Sequence, residues 1–190
     1  MTLTFMIRHG KPRSTWGEDV DLDPGLDEAG RAQAAAAADV LMALPPDKRP
    51  SRVFASPLRR CRETAEPFAQ RVGAEVEIDP RLGEIPSPQA LGQSDRGPWL
   101  RAAFALDWDQ IQGDLDYAAW RSTVGEALVE RAGTAVFSHF VAINAAISCA
   151  TGTKAVLNFQ PDHASMTVFD VADGRLTLVN RGREAATQVL

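Results

Sequence analysis

TAVFSHFVAINAAISCA, spanning Thr134–Ala150, is the stretch that decides the fold. Thr134–Ser138 is apolar with β-formers and reads as a buried strand. His139–Ala150 follows with no intervening turn and reads as an apolar, Ala-rich helix. A strand running straight into a helix is the building unit of an α/β sheet. The same grammar recurs outward from it. Thr2–Arg8 alternates and reads as a first strand, stopping at Gly10. Lys11–Gly25 is rich in Pro, Gly, Asp and Ser and reads as a loop. Asp27–Ala43 reads as a helix capped by Asp27, with Gly30 an expense of about 1 kcal/mol inside it and Pro45 and Pro46 after it.

Arg52–Ala55 reads as a short strand, and Ser56-Pro57 as the start of a helix running to Val72, with a capping hydroxyl and proline in the first turn. Glu75–Ile78 alternates as a further strand. Ile85–Pro98 reads as irregular, and Trp99–Arg131, with Trp99, Trp108 and Trp120, as weaker helical segments whose tryptophans form a local core. Ser165–Val171 and Leu176–Asn180 read as a hairpin turning at Asp173-Gly174. The expected fold is a three-layer α/β/α sandwich. It has a mostly parallel central sheet, an antiparallel edge, and a small cap inserted over roughly residues 85–131 of a single domain.

Composition bounds the function. The chain has 190 residues, 45% hydrophobic and 24% charged, which suits one globular domain and excludes disordered, collagenous and coiled-coil classes. No apolar run approaches the roughly 20 residues that span a bilayer. Met1–Arg8 lacks the features of a secretion signal, so a cytoplasmic location and no membrane partner are expected. The net charge of −5 comes without a basic stripe, which argues against nucleic acid. Cys61 and Cys149 sit in predicted helices without metal-like spacing and read as buried thiols in a reducing compartment; with three histidines in all, no metal site is expected.

Three strand-to-helix junctions carry the polar chemistry: Arg8-His9-Gly10, Ser56 with Arg59 and Arg60, and Ser138-His139. In open α/β sheets, ligands bind beyond the carboxyl ends of the strands. Two histidines and two or three arginines meeting there, with free helix N–H groups, would favour a dianion and repel a divalent metal. Phosphate is the first reading and carboxylate the second.

With these stretches in order, the chain resembles the histidine phosphatase superfamily, the phosphoglycerate-mutase-like family. Arg8-His9-Gly10 resembles its signature, Leu26–Ala34 the helix after its first loop, and Ser56–Ala65 its S-x-L-x-R-x-x-x-T-A stretch. Leu82-Gly-Glu84 resembles its acidic motif, and Val136–His139 the strand that carries its second histidine. The resemblance implies that His9 is a nucleophile forming a phosphohistidine, with its other ring N–H held by a backbone carbonyl. Arg8 and Arg60 would bind the phosphoryl oxygens, with Arg59 the alternative to Arg60. His139 would donate to the same oxygens as a cation. Glu84 would give a proton to the leaving oxygen, with Glu18, Asp19 and Asp21 the alternatives. Gly10, Ser14, Thr15 and Phe140 are candidates for lining the pocket. His163 reads as capping or packing at the start of a strand, with lining the site as the other possibility.

Phe140 stands where many relatives have glycine, and the family's G-x-W-E-G and G-G-E-S stretches are absent. The expectation is a metal-independent phosphomonoesterase without a cofactor, acting on a small phosphorylated metabolite. The alternatives are a phosphoprotein or phosphohistidine phosphatase, a mutase-type phosphotransferase, and a non-catalytic phosphate-binding module. The oligomeric state is open.

Overall fold

The computed structural model describes residues 1–13 and 21–186. Six strands, β1 Leu3–Arg8, β2 Val53–Ala55, β3 Val76–Ile78, β4 Ala135–Ser138, β5 Met166–Ala172 and β6 Arg175–Asn180, form a sheet in the order β3-β2-β4-β1-β5-β6. The first four in that order run parallel, and β5 and β6 are antiparallel. Five α-helices accompany them among the described residues: α1 Glu28–Met42, α2 Arg59–Val72, α3 Gln93–Ala103, α4 Tyr117–Glu130 and α5 Phe140–Thr151.

The period-2 geometry of the strands sorts the core. Phe5, Ile7, Val53, Ala55, Ala135 and Phe137 point to one face and bury Leu41, Phe68 and the alanines of α1 and α2. Met6, Phe54 and Val136 point to the other, against Leu128, Val141, Ile143 and their neighbours on α4 and α5. The expected three layers are therefore present. α4, the last helix of the stretch read as a cap, packs along α5 within a layer, and Trp108 lies buried with its ring 5.9 Å from that of Trp120. Among the described residues no helix is long and apolar enough to cross a membrane.

Two boundaries differ from expectation. α2 starts at Arg59 with Leu58 as its cap; the Ser56 hydroxyl accepts the Leu58 N–H at 3.3 Å ahead of the helix and also meets His139, and Pro57 lies outside the helix. α3 begins at Gln93, inside the stretch read as irregular, and carries Pro98 in its interior. Proline there removes one N–H without stopping the helix. The hairpin turns on Asp173 and Gly174, both at positive φ (51° and 70°), as a two-residue type I′ turn requires.

Candidate active site

Register builds the site. β1 and β4 pair in parallel with Arg8 opposite Ser138, so the residues that follow, His9 and His139, leave the sheet side by side. The His9 N–H donates to the Ser138 carbonyl at 2.9 Å, and the two imidazole centroids are 5.2 Å apart. β2 pairs with β4 on the other side, which brings Ser56 and the start of α2 to the same rim.

His9 is buried, and its tautomer is settled by its partners. Nδ1–H donates to the Gly10 carbonyl at 2.8 Å, leaving Nε2 with a lone pair that faces the Arg60 Nε–H at 3.3 Å. Burial, His139 and the two guanidinium groups hold this imidazole well below its ordinary pKa, so it stands neutral. Arg60 also places Nη2 at 3.4 Å from His139 Nδ1, spanning both rings. Arg59 turns the other way, to Glu63 at 2.6 Å on the surface.

Arg8 is buried, donates from Nη1 to the Pro161 carbonyl at 2.8 Å, and lies over the Phe140 ring at 5.2 Å. Its Nε is buried with no hydrogen-bond partner among the described residues. Burial lowers its pKa to about 10, which leaves it charged at neutral pH. Phe140 opens α5 and packs on Phe104, the residue that ends α3, at 5.4 Å, so it forms an apolar wall behind Arg8.

His139 is fully buried, with Nε2 2.8 Å from Ser56 Oγ and 3.3 Å from Cys61 Sγ. Desolvation, then Arg60 and Arg8, push its pKa well down. The cation expected from the sequence is thus disfavoured: a ring between two guanidinium groups and out of water stays neutral. Glu84 reaches the N-terminus of α5, where Oε1 accepts from the N–H groups of Val141 at 3.1 Å and Ile85 at 3.0 Å. Burial pushes its carboxyl pKa up against the pull of these donors. The turn leading to it is anchored twice. Ser138 Oγ donates to the Leu82 carbonyl at 2.7 Å, and Asp79, 5% exposed, pairs with Arg81 and Arg131.

The structure thus gathers Arg8, His9, Arg60, Glu84, His139 and Phe140 at one rim. Gly10 contributes its peptide groups rather than a wall. Its N–H donates to Thr64 Oγ1 at 2.9 Å, and a Cβ there would meet the Gly30 carbonyl at 2.6 Å. Ser14, Thr15, Glu18 and Asp19 lie outside the described residues, and Asp21 is exposed. His163 lines the site, with its ring centroid 5.6 Å from that of His9. Spacing alone hides this, because it depends on β5 running antiparallel beside β1. Thr64 and Ser56 were visible in the second motif, but their partners were not. Among the described residues no group of three or more His, Cys, Asp or Glu could hold a metal ion.

The chain is 30% identical over 186 residues to the 2,3-bisphosphoglycerate-dependent phosphoglycerate mutase of Thermoplasma acidophilum, covering 93% of this chain and 90% of that one. It is 40% identical over 120 residues to the glucosyl-3-phosphoglycerate phosphatase of Mycobacterium tuberculosis, covering 61% of this chain and 46% of that one. A solved mycobacterial glucosyl-3-phosphoglycerate phosphatase in complex with VO3 superposes with a TM-score of 0.72 at 25% identity, over 98% of this chain and 100% of the other. A family model for the histidine phosphatase superfamily (branch 1) matches residues 4–183, and the chain belongs to that superfamily.

Proposed function

We propose that the protein is a metal-independent phosphomonoesterase that hydrolyses a small phosphorylated metabolite in the cytoplasm through a phosphohistidine at His9. The observation that carries this is the unprotonated Nε2 of the His9 ring. It is neutral, its Nδ1–H is tied to Gly10, and Arg60 stands beside it.

Nε2 attacks phosphorus, and the bond to the leaving oxygen breaks. The ring becomes cationic, with its Nδ1–H still donating to the Gly10 carbonyl. Arg8, Arg60 and His139 hold the non-bridging oxygens, and a neutral His139 can serve through one ring N–H. Glu84, with its raised carboxyl, protonates the leaving oxygen. The resulting carboxylate takes a proton from the attacking water, and phosphate leaves with His9 neutral again. The cationic cluster suits a dianion without a metal. The part of the stretch 85–131 that precedes α4 is read as the cap over the leaving group, reaching the site where Phe104 packs on Phe140.

The substrates named for the two curated relatives make phosphoglycerates and glucosyl-phosphoglycerates the first to test. The decisive assay is a screen of phosphorylated metabolites combined with acid quench of labelled substrate. Phosphate release with label trapped on His9, and loss of both in His9→Ala, is the expected result. Turnover without trapped label would overturn the covalent route. The likeness to a mutase favours a second reading, phosphoryl transfer between monophosphoglycerates. Transfer faster than phosphate release would establish it instead.

A further inference from the structure

The structure shows one peptide group, between His9 and Gly10, gripped at both ends by side chains that the chemistry above does not use. Its carbonyl accepts from His163 Nδ1–H at 3.2 Å and from the Ala164 N–H at 3.4 Å. Its N–H donates to Thr64 Oγ1 at 2.9 Å, and that hydroxyl donates to the Arg60 carbonyl at 2.6 Å. The next carbonyl along, Gly10 O, is the one that holds His9 Nδ1–H. Rotating the gripped peptide would swing Gly10 and release that proton.

Both jaws are themselves braced. Thr64 sits on α2 one turn after Arg60. His163 sits in a turn where Ala164 takes a φ of 54°, an uncommon angle for a residue with a Cβ. That turn is fixed by Asp162, whose Oδ1 accepts the His163 N–H at 2.8 Å, and by Arg183, which donates to Asp162 Oδ2 at 3.0 Å and the His163 carbonyl at 3.2 Å.

We propose that Thr64 and His163 are positioning residues that clamp the His9–Gly10 peptide and so lock His9 as the Nδ1–H tautomer with Nε2 free. This rests on the reading of His9 as nucleophile. The clamp acts on orientation and not on phosphate affinity, because Arg8, Arg60 and His139 are left in place.

The test uses Thr64→Val, Thr64→Ser, His163→Phe and the His163→Phe/Thr64→Val double variant. Nitrogen-15 spectra of labelled histidine report the tautomer of His9, with assignment eased by there being three histidines. The expected result is a shift of the His9 proton from Nδ1 towards Nε2 in Thr64→Val and His163→Phe. A fall of about 10- to 100-fold in kcat should accompany it, with inhibition by inorganic phosphate unchanged within about twofold. Thr64→Ser, which keeps the hydroxyl, should recover the parent tautomer and most of kcat. Parent-like spectra in both single variants and the double variant would overturn the clamp, as would failure of Thr64→Ser to rescue. The spectra require no turnover, so they judge the clamp even if label never appears on His9, which would refute the nucleophile reading alone.

Discussion

Arg60 shows what a single residue can do here that its charge alone cannot. Its fork reaches His9 Nε2 and His139 Nδ1 together, whereas a lysine offers one ammonium on a flexible stem. Arg60→Ala is expected to lower kcat/KM on an aryl phosphate by about 10²–10³, and Arg60→Lys to recover little of it. Recovery to within tenfold by lysine would mean that charge, not geometry, is what Arg60 supplies. At this scale much could be read directly. His9, His139, Arg8 and Arg60 fall at strand ends in recognisable strings, and a backbone partner for His9 Nδ1 was foreseeable from the need for a neutral ring. His163 could be read only as the lesser of two alternatives, because its relation to His9 is made by pairing Ile7 with Met166 across two strands remote in sequence. The neutrality of His139 was also hidden, since it depends on burial between two guanidinium groups.

At the scale of elements, the loop after β1 and the first turn of α1 touch backbone to backbone. Gly30 lies against the Lys11 carbonyl, where a Cβ would overlap it. In an open helix, Gly→Ala gains up to about 1 kcal/mol; here Gly30→Ala is expected to lower stability and to cut activity by displacing the His9–Gly10 turn. Urea unfolding and kcat on the same variant check both. The apparent propensity penalty of Gly30, read from sequence, is thus explained by contact. Asp79 gives a second element-scale prediction. Asp79→Ala removes one of the two carboxylates that Arg131 pairs with, leaving Glu130 at 3.3 Å, and loosens the turn that leads to Glu84, at an expected loss of about 1–2 kcal/mol in urea unfolding. Element starts were less legible than element types. Ser56 has the chemistry of a helix cap, but its hydroxyl goes to His139 at 2.8 Å, and only the folded chain shows that competition.

For the whole molecule, the three imidazoles couple folding to acid. His163 falls from an ordinary 6.5 to about 4, and His9 and His139 lie well below their ordinary values. Below pH 6.5 the unfolded chain therefore takes up protons that the folded chain refuses, and stability falls as pH drops towards 4. The raised carboxyl of Glu84 works in the opposite sense, one group against three. The expected outcome is a urea midpoint lower at pH 5 than at pH 7.5, with a shallower decline in His163→Gln; an equal decline in both proteins would refute this share for His163. The layered architecture was legible from alternating strands and helices and from the hairpin. The strand order was not, because placing β1 between β4 and β5 needs contacts that no local pattern carries.

That central seat of β1 has a consequence for how the protein comes into being. Arg8 and His9 precede, by more than 150 residues of chain, the carbonyl of Pro161 that steadies one and the turn that grips the other. A chain stalled after α5 already owns every reactive group but lacks the Pro161 carbonyl and the His163 turn that help to aim them. Interrupted synthesis should therefore release fragments with a less well aimed cluster than that of the whole chain.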